Sequence, residues 1–223
     1  MFFKRLIAFT MAEVLVVLGI LGVTAAITLP NLNDDIEERK VVSKLRKIYA
    51  EFQAINETIV QTYGSPADWN VASSTTSANM TTRYGDYFKE LAGVKIDCGV
   101  AIDSRCFNTA KWPGNGSFRK FLMKDGSSVA ILINAKSSSA LSEGIWGAVG
   151  IDVNGPSGEN QPGYDIFRFP LCAKRGLATA CVNNLLPDDE FGQYAGEWVI
   201  KAGNRDYLKC EDDLNWRTKR TCN

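Results

Sequence analysis

The first long stretch of the chain is apolar from Phe9 to about Leu32, and the residues from Val14 to Asn33 carry no charge. Lys4 and Arg5 precede the run, and Glu13 is the one charge inside it, near its start. On the order of 20 helical residues at ~1.5 Å rise span the ~30 Å hydrocarbon core of a bilayer. The two cations are expected to stay on the cytoplasmic side. From Asp34 the pattern becomes one-sided. Val41, Leu45, Ile48, Tyr49, Phe52, Ile55, Ile59 and Tyr63 recur at steps of three and four, which predicts one apolar face of an α-helix. Gly64 and Pro66 form a stop signal. The reading is one helix over about 9–63, apolar all round in its first half and amphipathic in its second. Pro30, inside it, is expected to loosen or kink it. The charges at 34–47 suit a solvated helix face.

Beyond this helix the period shortens. Residues 65–83, rich in Ser, Thr and Asn, read as a connecting loop, and 84–94 as a short helix. Alternation at 118–124 and 128–134 around Asp125-Gly126 predicts a β-hairpin. Segments 145–153, 164–169 and 197–202 read as further strands. Short strands separated by turns favour an antiparallel sheet, whose apolar face would cover the amphipathic half of the helix. The expected class is therefore α+β, divided as leader 1–8, apolar helix 9–33, amphipathic helix 34–64 and a β-rich domain 65–223.

Composition narrows the function. Twenty-five cationic and 25 anionic side chains cancel, and there is no histidine. A neutral chain gives no electrostatic reason to expect nucleic acid as a partner. Absence of histidine removes the commonest general base and metal ligand. No nucleophile elbow, P-loop, dinucleotide fingerprint or zincin motif occurs, so an enzyme is not expected. The paired acids Asp188-Asp189 and Asp212-Asp213 sit in loop-like surroundings. The cysteines Cys98, Cys106, Cys172, Cys181, Cys210 and Cys222 are even in number and dispersed, which suits disulfides formed in an oxidising compartment. Many pairings are possible. Pairing neighbours (98 with 106, 172 with 181, 210 with 222) is the expectation, because each bridge would staple a short loop.

Two candidate sites stand out in the β-rich part. Between residues 151 and 169, Asp152, Asn154, Glu159, Asn160 and Asp165 place five oxygen-bearing side chains in one Gly/Pro-rich loop. Hard cations such as calcium prefer such ligands. The spacing is not that of an EF-hand, since Gly163 stands where its last acid belongs. The same residues also suit a pair of turns in which Asp and Asn cap their own backbone. Trp198, Tyr207 and Trp216 are aromatic enough for a binding surface, though core positions suit them better.

The segment FTMAEVLVVLGILGVTAAITLPNL, residues 9–32, resembles the leader and helix of type IV prepilins and type II secretion pseudopilins. The resemblance implies cleavage between Ala8 and Phe9 by a prepilin peptidase, then N-methylation of Phe9. Family members usually carry Gly at the position of Ala8. Glu13 matches the family's acid and Pro30 its kink proline. A carboxylate within an apolar span costs about 2.5–3.5 kcal/mol at a helix centre and less near an end, so it requires a partner. In assembled filaments of this family that partner is the N-terminal amine of a neighbouring subunit. The 151–169 segment and the C-terminal GEWVIKAGNRDYLKCEDDLNW also resemble pseudopilin-like proteins, some of which bind calcium in a β-loop.

The implied protein has a pilin-like fold, its long N-terminal helix packed on a disulfide-stapled antiparallel sheet. It sits in the inner membrane as a single-pass protein with its globular domain outside the cytoplasm, and then joins a periplasmic or extracellular filament. Its partners would be other subunits, the processing peptidase and methyltransferase, and the membrane assembly machinery. A membrane-anchored minor pilin or adhesin-like module is the alternative. Small residues at Val23-Thr24-Ala25 also leave open an ordinary signal peptide cut after Ala25, or an uncleaved signal anchor.

Overall fold

A computed structural model describes residues 10–69, 76–107, 117–135, 144–158, 160–173, 176–177, 195–215 and 218–222, with only the backbone described at 27–35 and 76. Two compact units meet in sequence between Lys40 and Val41.

Helix α1 runs Met11–Tyr63. In the first unit every described side chain from Met11 to Ala26 is exposed, including Leu15 at 68% and Leu21 at 57%. The described side chains pause at Ala26 and resume at Ile36, so the expected span over 14–33 lies partly outside them. Among the described residues no helix is long and apolar enough to cross a membrane.

In the second unit the back of α1 is buried along Val42, Leu45, Ile48, Phe52 and Ile59. These steps of three and four are the expected stripe, but it centres on Val42, with Val41, Tyr49 and Ile55 only partly buried. Asn56 also lies in the stripe, where its Oδ1 accepts from the Tyr84 hydroxyl at 2.8 Å; burial pushes that phenol's pKa up. Tyr63, expected on the apolar face, is instead exposed and stacked on Tyr87 with ring centroids 3.6 Å apart. Burying each of the large aliphatic or aromatic side chains contributes roughly 1.5–3 kcal/mol.

Helix α2, Thr76–Leu91, begins well before the expected 84–94. Met80, Tyr84 and Phe88, four residues apart, are its buried face, and the Ser/Thr/Asn-rich first turns conceal that period. Among the described residues six strands follow as an antiparallel meander in the order β1-β2-β3-β4-β5-β6: β1 Val94–Gly99, β2 Arg119–Met123, β3 Ser128–Ile133, β4 Ile145–Asp152, β5 Ile166–Cys172 and β6 Gly176–Leu177. The hairpin turns at Asp125-Gly126 as expected, with Gly126 at φ 85° and Asp125 Oδ1 accepting from Ser127 N at 3.0 Å.

Successive strand residues face opposite ways. Val129, Ile131 and Ile133 join Val149, Ile151, Phe167, Phe169 and Leu171 in the main core with α1 and α2. The other face gathers Ala130 and Ala148 beneath Cys106, Phe107 and Phe118.

Residues 197–202, expected to be a strand, are helical. Helix α3 spans Gly196–Ala202 and ends at Gly203 with φ 80°. The run Trp198-Val199-Ile200 imitates a strand. The Glu197–Lys201 ion pair at i,i+4 and Arg46 Nη2, which donates to Ile200 O at 2.8 Å, favour the helix. A short helix α4, Tyr207–Cys210, follows. Disulfides join Cys98 to Cys106 and Cys210 to Cys222, as expected from local pairing. Cys172 is also disulfide-bonded; Cys181, its expected partner, lies outside the described residues.

Candidate functional sites

Two regions carry chemistry that the core does not need. The first is the start of α1. Glu13 Oε2 accepts from Thr10 N and from Thr10 Oγ1, both at 2.8 Å, and Glu13 N donates to Thr10 Oγ1 at 3.2 Å. This is a capping box: reciprocal bonds satisfy donors that a helix start leaves without partners. The carboxylate is thus held at the head of the exposed apolar segment by its own chain. Ala8 and Phe9 lie outside the described residues, and so does the side chain of Pro30. Helix α1 is continuous in secondary structure through position 30.

The second region is the turn between β4 and β5, and its five expected ligands do different jobs. Asp165 organises the loop. Its carboxylate accepts from Gln161 N at 2.6 Å, from Asn160 N at 3.0 Å and from Asn154 Nδ2 at 3.1 Å. Asn154 is exposed and spends its amide on that bond. The loop is held from outside as well: Arg205 Nη1 donates to Tyr164 O at 2.7 Å, and the Tyr207 hydroxyl donates to Gly163 O.

Asp152, the last residue of β4, is 0% exposed, and neither of its carboxylate oxygens has a hydrogen-bond partner. Burial, followed by the charge of Asp165, pushes its pKa up to about 8. The N–H groups of Gly155 and Asn154 pull it back part of the way without forming good hydrogen bonds. Asn160, at φ 53°, donates through Nδ2 to Gly158 O at 2.9 Å, while its buried Oδ1 has no partner. Glu159 lies outside the described residues.

A sixth oxygen was not expected. Ser128 stands directly opposite Asp152 in the β3–β4 register, so both side chains point to one face. Its Oγ is buried without a partner. The only sequence signal for it is the hairpin register counted from Gly126.

The orphaned oxygens of Asp152, Asn160 and Ser128 are the donor type a hard cation selects. One of the five expected ligands, Asp165, already accepts three of the loop's own hydrogen bonds, whereas Asn154 takes part only as a donor through Nδ2. Among the described residues no group of three or more His, Cys, Asp or Glu is placed to hold a metal. A cation here would therefore rely on Asp152, with the Ser128 hydroxyl opposite it in the strand register.

The aromatic candidates are core. Trp198 is fully buried, with Nε1 donating to Asn204 Oδ1 at 2.7 Å, and Tyr207 is buried as well. Trp216, Asp188 and Asp189 lie outside the described residues, while Asp212 and Asp213 sit exposed in a 3-10 turn. Comparison of the chain with protein-family models, with curated proteins and with solved structures finds no match.

Proposed function

We propose that this chain is a filament subunit of the type IV pilin-like or type II secretion pseudopilin-like class, processed at Phe9 and assembled through the first half of α1. The observation that carries the reading is the unbroken exposure of apolar side chains from Met11 to Ala26 on a helix whose later turns are packed in a core. Exposed apolar surface of this extent demands a cover, either lipid or the helices of other copies. The Thr10–Glu13 box puts a carboxylate at the head of that segment, where a neighbour's terminal amine would find it in a filament. The folded β domain would then face outward.

The test is the mature N-terminus of the full-length chain produced with a prepilin peptidase. N-methylated Phe9, together with reduced filament yield for Glu13→Ala at unchanged membrane insertion, is the expected result. An N-terminus at Ala26, or undiminished filament yield in the variant, overturns the reading.

The β4–β5 turn favours a second property on a separate observation, the partnerless buried carboxylate of Asp152. Calcium bound there would give Asp152, and Ser128 opposite it, the partner they lack. Calcium is expected to raise the melting temperature of the chelator-treated protein and to leave Asp152→Asn unmoved. Equal shifts in both proteins, or none in either, would dispose of the site.

A further inference from the structure

On the second face of the sheet lies a buried cation that the filament reading does not use. Lys120 of β2 is 0% exposed. Its ammonium donates to Phe118 O at 2.9 Å, to Val100 O at 3.1 Å and to Ala101 O at 3.3 Å. An ammonium has three protons, so every donor is used. Two of the three acceptors, Val100 and Ala101, lie inside the loop that the Cys98–Cys106 disulfide closes. The loop is also braced from within. Asp103 accepts from Arg105 N at 2.9 Å and pairs with the Arg105 guanidinium at 2.6 Å. Burial pushes the Lys120 pKa down, and the negative charge of Asp103 offsets part of that. Cys106 and Phe107 cap the same face, fully buried over Ala130 and Ala148.

From this juxtaposition we infer that Lys120 and the Cys98–Cys106 loop form a redox-controlled latch on the β1–β2 edge of the sheet. Oxidation of the two thiols releases two protons and two electrons to a disulfide-bearing oxidant and closes the loop. Closure holds two carbonyls on the ammonium. Reduction by a dithiol returns two protons and two electrons to the sulfurs and frees the loop. A charge in an apolar interior cannot stay there without its acceptors, so Lys120 must leave and open the edge behind it. That edge is irregular: β1 is an end strand of the sheet, and its register on β2 slips between Val94 and Ile96 and again between Asp97 and Gly99. The latch thus makes one side of the domain complete only under oxidising conditions. This inference is independent of how the N-terminus is processed.

The test follows amide hydrogen exchange in the full chain in detergent. In Cys98→Ser/Cys106→Ser, exchange at residues 119–121 is expected to rise at least ~10-fold over wild type, with β4 and β5 amides unchanged. In the Lys120→Met background the same pair of cysteine substitutions is expected to raise exchange by less than ~3-fold over Lys120→Met alone, because no buried charge remains to be expelled. An excess that Lys120→Met leaves intact, or one spread evenly over the sheet, overturns the latch. A second measurement needs no variant. An N-hydroxysuccinimide acetate transfers its acetyl group to the neutral amine of an accessible lysine, and the amine proton leaves with N-hydroxysuccinimide. After partial reduction and alkylation, molecules alkylated at Cys98 and Cys106 are expected to acetylate Lys120 at least ~10-fold faster than disulfide-bonded ones, while exposed Lys124 reacts equally in both. Equal protection of Lys120 in the two populations overturns the proposal.

Discussion

Lys120 and Asp152 are both fully buried ionisable side chains on the same face of one sheet, in β2 and β4. Their surroundings are opposite. The ammonium has a carbonyl for every proton; the carboxylate has no hydrogen-bond partner on either oxygen. Burial alone therefore does not mark a functional residue. A charge whose bonds are complete is held in place by the fold, whereas one whose bonds are missing points to something the polypeptide does not supply, either a proton or a cation. The pair separates a structural charge from a candidate site within one short stretch of sheet.

The sharpest way to break the comparison is to remove the satisfied charge. Lys120→Met leaves three carbonyls facing a thioether and is expected to cost about 3 kcal/mol in the oxidised protein, read as a drop in denaturation midpoint. Asp165→Ala comes next. Its carboxylate accepts three loop donors, and their loss is expected to cost roughly 2 kcal/mol and to release residues 154–161 to rapid hydrogen exchange. Asp152→Asn should move stability the other way. The folded carboxyl titrates near 8, above its unfolded value. The native state therefore keeps a proton that the unfolded chain releases between about pH 4 and 8, and stability falls across that window as pH rises. In chelator, wild type is expected to lose melting temperature from pH 5 to 8. Asp152→Asn should stay flat and be the more stable of the two at pH 8. Saturating calcium should remove the wild-type slope. The smallest effect belongs to a charge that is satisfied but solvated: Glu13→Gln is expected to leave the melting temperature of the β domain unchanged, with any loss confined to filament assembly.

The parts of this fold that could be read in advance are those where period decides. The stripe on α1 and the hairpin at Asp125-Gly126 follow from spacing and turn chemistry alone. Helix α2 was only half legible, because Thr76, Ser77 and Asn79 in its first turns resemble a loop until Met80 is seen to continue the face of Tyr84 and Phe88. Helix α3 was misread because three successive apolar residues fit a strand as well as a short buried helix, and the tertiary contact from Arg46 that favours the helix is invisible locally. The site divides the same way. Asp152 and Asp165 are equivalent as letters in a loop, and only the backbone path turns one into the hub of three hydrogen bonds and leaves the other bare. Ser128 depends on strand pairing and cannot be found by motif. Lys120 looks like an ordinary outward-facing strand residue until the 98–107 segment is folded over it.

The order of strands has a consequence for the sequence of events in folding. Each strand of the meander pairs only with its neighbours in the chain. A polypeptide delivered from its N-terminus can therefore add strands one at a time, each docking on the last to arrive, without waiting for a distant partner. Helix α1 is the exception. It is made first, yet its buried stripe shares one core with β3, β4 and β5 as well as with α2. The cover of the amphipathic half is completed only once β5, which ends at Cys172, has been made, so the interval before it is the one in which the folding domain most needs a holding partner.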